Sequence, residues 1–223
     1  MNSRYLQHVT FLKKLPSKDL KRVVRIAKML TFQKGQFIFK QEESGSHLFV
    51  VLTGLVKIFF TSSSRRRKTL AMLQSGDFFG EMALLDGKVR SANAMAVRPS
   101  KVLVIQKADF KRLLMKDPDL TFVVLRTLCD RLRKADEQIR SLIFKNVHGR
   151  VVKTLVDMSH DGKREDGGVV LRNPMTRQEL AEIVGTTREP VTRSLGMLRR
   201  AGLIEYRDKS IIIKDLERMK GLV

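Results

Sequence analysis

The sequence predicts an α+β chain: a β-rich N-terminal domain, one long helix and a C-terminal winged helix-turn-helix. Three observations carry that reading. Short apolar runs punctuated by glycine fill residues 30–105, a leucine-rich heptad spacing runs through residues 125–142, and a capping box followed by a glycine turn opens at Thr176. At 223 residues the chain has room for one large domain or two modest ones, and 43% apolar residues suffice for a packed core.

An amphipathic helix is expected from about Lys18 to Met29. The β region follows, with runs Phe37–Phe39, Leu48–Leu52, Val56–Phe60, Leu70–Leu73 and Val102–Ile105. Gly35, Gly45, Gly54 and Gly76 separate them at intervals near ten residues, broken by a longer Ser62–Lys68 loop. Strand–turn units at that rhythm suggest a sandwich, jelly roll or barrel.

After Asp109 the period changes. Leu125, Leu128, Leu132, Ala135, Ile139 and Leu142 alternate spacings of three and four, an a/d seam on a helix from about Pro118 to Phe144. Such a helix is about 40 Å long. Heavily charged flanks (Arg126, Asp130, Arg131, Arg133, Asp136, Glu137, Arg140) favour a parallel dimer seam; the alternative is a helix packed on its own domain. Asn146 is a good N-cap for a helix from Val147 to about Ser159, which makes Lys145–Asn146 a candidate hinge. His160–Gly168 is expected to be a polar loop. Domain limits are therefore 1–117, 118–145 and 146–223.

Thr176-Arg177-Gln178-Glu179 opens a short helix through Val184, Gly185 supplies a turn, and Thr187 caps a second helix from Arg188 to Arg200. Pro190 is tolerated in its first turn. Ala181, Ile183, Val184, Val191, Leu195 and Leu198 form the expected core, and Leu203–Tyr206 with Ile211–Ile213 form a wing. In such motifs the start of the second helix enters the major groove. Arg188 and Arg193 suit guanine O6 and N7, and Glu189 suits cytosine N4. Thr187, Thr192, Arg199 and Arg200 suit phosphates. A charged, solvated helix face is the alternative.

Forty-four Lys and Arg against 23 Asp and Glu give a net charge of +21, a field that attracts polyanions, nucleic acid first and an anionic membrane surface second. The single cysteine, Cys129, excludes an intramolecular disulfide and a Cys-based zinc or iron–sulfur centre, and is expected to be buried. His8, His47, His148 and His160 lack metal-like spacing, so no metal and no catalytic residue are expected. No apolar run reaches signal-peptide or membrane-span length, so a cytoplasmic protein without membrane association is expected.

The segment from Gly80 to Ala92 (GEMALLDGKVRSA) pairs a glycine that permits close backbone approach with a helical turn, an Arg and a hydroxyl. Backbone N–H groups at a helix start beside an Arg form an anion site. A turn with a surface Arg is the alternative.

The G-E-[LM]-x-L…R-S-A pattern resembles the phosphate-binding cassette of cyclic-nucleotide domains. Set before a long helix and a T-R-Q-E…R-E-x-x-x-R module, it resembles the CRP/FNR regulators from about Phe11 to Asp215, and their cyclic-AMP receptor branch most. That resemblance implies a double-stranded β-helix (jelly-roll) effector domain. It places the cyclic phosphate on Arg90 and Ser91 and the ribose along Gly80, Glu81, Met82 and Ala83, with Glu81 on the 2′-hydroxyl. It implies Ala135 and Asp136 where the long helix meets the purine. The DNA contacts it implies come from Thr176, Arg177, Gln178, Thr187, Arg188, Glu189, Thr192 and Arg193 on a TGTGA-like half-site. Homodimerisation and RNA polymerase as a partner are implied too. The family's usual hydroxyl pair on the long helix is replaced by Ala135-Asp136, which leaves cyclic AMP, cyclic GMP and cyclic di-GMP open as effectors. Pro190 stands where a Thr is common, removing one phosphate contact. Ligand-independent regulation keeps the same fold. A channel or kinase module lacks support without a membrane span or kinase motifs, and a non-specific nucleoid-type protein explains the charge but not the cassette.

Overall fold

A computed structural model describes residues 27–165, 168–171, 175–207 and 210–222. Contacts divide the chain into two compact units, which meet in sequence at 133/134 within the long helix; Arg66–Lys68 group with the second.

The first unit is built on two four-stranded antiparallel sheets. One has the order β1 (Lys28–Phe32), β8 (Ser100–Gln106), β3 (His47–Thr53), β6 (Phe78–Phe79); the other runs β2 (Phe37–Phe39), β7 (Asn93–Ala96), β4 (Val56–Thr61), β5 (Arg67–Leu73). This is the expected jelly roll. All five apolar runs fall on strands. The core β3 strand is apolar on both faces because both are covered. Phe49 and Val51 pack with Val56, Leu73, Phe79 and Ala94 between the sheets. Leu48, Val50 and Leu52 pack on the other face against Phe110 and Leu113 of helix α2 (Lys107–Lys116) and Leu120 and Val124 of α3 (Pro118–Phe144).

Three sequence expectations change here. The helix expected over Lys18–Met29 lies mostly outside the described residues, and its end is strand: β1 pairs Met29 with Leu103 and Leu30 with Val102. As an edge strand β1 is largely exposed, so its polarity shows no clear alternation. The Ser62–Lys68 loop ends early, because Arg67 already belongs to β5. Cys129 is exposed, on the outer surface of α3.

Helix α3 has the expected limits. Pro118 occupies its first position, and the Asp117 carboxylate accepts from Leu120 N at 2.9 Å. The expected seam divides. Leu128 packs against the helix's own β domain, in line with Leu120 and Val124. Leu125, Leu132, Ile139 and Leu142 are exposed, with Leu132 at 64%, and so is Ala135.

The second unit holds α4 (Val147–Ser159), whose N-cap Asn146 accepts from Gly149 N at 2.9 Å. Helices α5 (Arg177–Val184) and α6 (Arg188–Arg200) follow, then a sheet ordered β11 (Ile204–Arg207), β12 (Ser210–Ile213), β10 (Gly168–Val170), β9 (Lys163–Glu165). Strand β9 lies inside the expected His160–Gly168 loop. Its three residues are charged and exposed at the sheet edge, so composition carried no strand signal. A short helix α7 (Leu216–Lys220) ends the described chain. Val151, Leu155, Leu180, Ala181, Val184, Val191, Leu195 and Leu198 share one core with the wing. Ile183 is only half-buried, and Leu180 fills the place expected of it.

Candidate functional site

Gly80 ends β6 and stands at the N-cap of a five-residue helix, α1 (Glu81–Leu85), with φ at 81°. That left-handed conformation favours glycine, and a Cβ there would lie 2.6 Å from Arg90 Nη1. The bend places Glu81 and Arg90 on either side of one backbone turn.

Arg90 is 4% exposed. Its Nη1 donates to the Gly80 carbonyl at 2.7 Å and its Nη2 to the His47 carbonyl at 2.8 Å. The guanidinium lies 4.3 Å from the Phe39 ring centroid and 5.6 Å from that of Phe49. Main-chain bonds from Arg90 N to Glu43 O (2.8 Å) and from Glu42 N to Arg90 O (2.9 Å) fix its stem. Arg90 Nε is left buried without a hydrogen-bond partner. Burial pushes the guanidinium below its ordinary pKa, while Glu81 and Glu43 pull it back up. Gly45 closes the other side: a Cβ on it would lie 2.4 Å from Ala83 Cβ and 3.1 Å from Arg90 Cζ.

Glu81 is 2% exposed. Its Oε1 accepts from Arg131 Nη1 of α3 at 2.7 Å, while Oε2 is buried and has no partner. Arg131 Nη2 also donates to the Phe78 carbonyl, and the guanidinium lies 5.0 Å from the Phe78 ring centroid. Arg131 was missed at the sequence level, where it counts as a flanking charge of the seam. Its position three residues after Leu128, on the face of Leu120 and Val124, was the available signal. Met82 is exposed and its sulfur accepts from the exposed Ser91 hydroxyl at 3.5 Å; Ala83 is buried.

The turn thus gathers Gly80, Glu81, Met82, Ala83, Arg90 and Ser91. A buried cation with a spare donor and a buried carboxylate with a spare acceptor suit a ligand with both an anionic group and a hydroxyl. Ala135 and Asp136 belong to the second unit and are exposed on α3. Among the described residues Asp136 forms no ion pair, with Arg133, Arg140 or any other.

In the helix-turn-helix, Thr176 makes the expected capping box: its hydroxyl accepts from Glu179 N at 3.1 Å, and its N–H donates to Glu179 Oε2 at 2.7 Å. Its hydroxyl also donates to Glu179 Oε2 at 2.9 Å. Gly185 turns the chain at φ 79°. Thr187 occupies the N-cap of α6, but its side chain makes no cap hydrogen bond, contrary to expectation. Arg177, Gln178, Arg188, Glu189 and Arg193 are exposed, whereas the Thr192 hydroxyl donates to Arg188 O at 2.9 Å. Val191, Ser194, Leu195 and Leu198 anchor the opposite face of α6 in the core.

Two family models match the chain: a cyclic nucleotide-binding domain over residues 29–117 and a Crp-like helix-turn-helix domain over residues 149–222. The cyclic AMP receptor protein of Thermus thermophilus is 32% identical over 184 residues, 82% of each chain. The chain belongs to the CRP/FNR family of transcription regulators. The cAMP-activated global transcriptional regulator Vfr of Pseudomonas aeruginosa is 33% identical, covering 74% of this chain and 79% of its own. A solved CRP/FNR-family regulator from Thermus thermophilus superposes with a TM-score of 0.74 at 29% identity, over 87% of this chain and 97% of that one. These family members are regulators and not enzymes. Among the described residues no helix is long and apolar enough to cross a membrane.

Proposed function

We propose that this regulator binds DNA as a homodimer on a pseudo-palindromic, TGTGA-like site under control of cyclic AMP. One observation carries the effector reading: Arg90 Nε and Glu81 Oε2 are both buried and both lack a hydrogen-bond partner. An unmade buried hydrogen bond costs about 1–3 kcal/mol, so each atom favours a ligand that satisfies it. Arg90, with Ser91 beside it, takes the cyclic phosphate; Glu81 Oε2 accepts from the ribose 2′-hydroxyl; Gly80, Met82 and Ala83 line the sugar. Relatives named as cAMP-activated favour adenine.

The domain division follows function: residues 1–117 bind effector, 118–145 form the dimer helix and hinge, and 146–223 bind DNA. The exposed Leu125, Leu132, Ile139 and Leu142, with Ala135, form the seam, and Leu128 braces it from the β-domain side. Arg188, Glu189 and Arg193 read bases, while Thr176, Arg177, Gln178, Thr187 and Thr192 position the phosphate backbone. Effector shifts the population of arrangements about Lys145–Asn146, and RNA polymerase is the protein partner. A cytoplasmic setting suits this role.

A second reading rests on Asp136. An ionised carboxylate only accepts hydrogen bonds, and guanine presents N1–H and N2–H side by side, so cyclic GMP or cyclic di-GMP is the rival effector. Parallel calorimetry with the three nucleotides, on the wild type and Arg90→Leu, tests both. Cyclic AMP is expected to bind tightest and to lose affinity in the variant. Unchanged affinity in Arg90→Leu sinks the cassette assignment, and a guanine nucleotide binding tightest selects the second reading.

A further inference from the structure

Arg90 Nε and Glu81 Oε2 share their condition with a third buried polar atom of the β domain: Thr69 Oγ1 also has no hydrogen-bond partner. Thr69 is 5% exposed and is the third residue of β5. Leu73, on the same strand, lies in the core between the two sheets, and Ala71 packs against that core. Side chains two apart on a strand share a face, so Thr69 points into the same inter-sheet space. Strand β4 follows the same rule. Val56 and Ile58 pack in this core, and Phe60 comes next on their face, yet it is 42% exposed. The inner face of the second sheet thus passes from packed core to a bare aromatic ring and an unpaired hydroxyl.

This end of the sheet adjoins the cassette. A hairpin joins β4 to β5, so Phe60, next to last on β4, and Thr69 stand at one end. Strand β4 pairs antiparallel with β7, with Phe59 opposite Asn93. One residue further, that register sets Phe60 level with Ala92, which directly follows Arg90 and Ser91 in the chain. Asn93 ties the strands there, its Nδ2 donating to Phe59 O at 3.2 Å and to Thr61 Oγ1 at 3.4 Å. The rings of Phe39 and Phe49, against which the Arg90 guanidinium lies, border the same inter-sheet core.

We propose that Phe60 and Thr69 recognise the base of the effector. A purine packs on the Phe60 ring, and one of its ring nitrogens accepts from the Thr69 hydroxyl. Buried hydroxyls nearly always find a partner, and valine would occupy the same strand position with no bond left unmade, so the threonine serves a ligand rather than the fold. Adenine and guanine both carry accepting ring nitrogens, so the contact does not depend on Asp136. The proposal rests on the cyclic-nucleotide reading of the Arg90 cassette and adds a base contact from the sheet of the β domain.

The test is calorimetry on the full chain with cyclic AMP and cyclic GMP, and competition with the base-free sugar 1-deoxyribose 3′,5′-cyclic phosphate. The wild type is compared with Thr69→Val, Thr69→Ser and Phe60→Ala. For the nucleotide that binds tightest, Thr69→Val is expected to lose about three- to tenfold in affinity, the worth of a neutral hydrogen bond. Thr69→Ser, which keeps the hydroxyl, is expected to stay within about twofold of the wild type. Phe60→Ala is expected to lose at least about fivefold through lost stacking. The base-free sugar phosphate is expected to bind all four proteins alike, and ligand-free Thr69→Val to melt at or above the wild type. Equal nucleotide affinity in the wild type and Thr69→Val overturns the proposal. So does an equal loss for the base-free sugar phosphate, or a ligand-free Thr69→Val that melts well below the wild type, since the hydroxyl then supports the fold. Arg90→Leu separates the two readings: lost affinity there with none lost in Thr69→Val leaves the cassette standing and removes the base contact alone. A wild type that binds no cyclic nucleotide overturns both.

Discussion

Replacing Arg131 with Met tests the ion pair that ties the effector turn to the long helix. The variant leaves Glu81, 2% exposed, with a buried carboxylate that has lost its only observed hydrogen bond. Breaking a buried pair by removing one partner costs about 3–5 kcal/mol. The Arg131 side chain is a third exposed, so water already screens part of that interaction, and about 2–3 kcal/mol is the better expectation. In a chain of this size that lowers the β-domain melting temperature by roughly 5–10 °C. Calorimetric melting of the wild type, Arg131→Met, Glu81→Gln and the double variant completes a cycle. Because a neutral amide is cheaper to bury alone than a carboxylate, the double variant is expected to recover at least about 1 kcal/mol over the sum of the single losses. Effector affinity in Arg131→Met is expected to fall about tenfold, as Glu81 loses its fixed orientation. A melting shift under about 2 °C with additive effects refutes the reasoning.

Gly80→Ala is expected to cost about 1–3 kcal/mol of stability, from the left-handed backbone and the approach to Arg90 Nη1, and to weaken effector binding; thermal melting and calorimetry measure both. Leu132→Asp places carboxylates in the exposed apolar stripe of α3 and is expected to give monomers in sedimentation without specific DNA binding; a persistent dimer rules out this interface. Glu189→Ala is expected to relax readout at one half-site position by about 1–3 kcal/mol in competition binding, and equal loss on every sequence makes it a backbone contact instead. Asp136→Ser, titrated with the three nucleotides, is expected to change the adenine-to-guanine affinity ratio about tenfold if the carboxylate reads the base, and an unchanged ratio removes it from the site.

Local signals were legible where the chain satisfies itself locally. The limits of α3, α4, α5 and α6 follow from Pro118, Asn146, the Thr176–Glu179 capping box and Gly185, because a cap binds groups only two or three residues away. From Gly80 to Ala92 the local pattern left a surface-Arg turn equally open, and only the family resemblance pointed to a cassette, because Arg90 is held by the His47 carbonyl forty-three positions away. Long-range pairing was not legible. Strand β1 is defined by β8, about seventy residues on, so its own composition does not mark a strand; β9 pairs locally with β10, and it was its three charged, exposed residues that hid it. The pair between Glu81 and Arg131 spans fifty positions, and charge pattern alone assigned Arg131 to solvent. Heptad spacing found the helix but not its orientation. Leu128 satisfies the seam pattern and still faces its own domain, since two apolar stripes overlap on one helix.

The approach of Gly45 to Ala83 and Arg90 bears on how this sequence can change. Three segments separated by up to forty-five positions fill one space, in which even a methyl group at 45 would sit 2.4 Å from Ala83 Cβ. A side chain at 45 meets the Ala83 methyl and a clamped guanidinium, which have little room to yield. Gly45→Ala is therefore harmful on the present background but tolerable after Ala83→Gly opens the space, so the harm of one step depends on whether the other came first. The effector turn can drift along few mutational paths, and those paths pass through glycine.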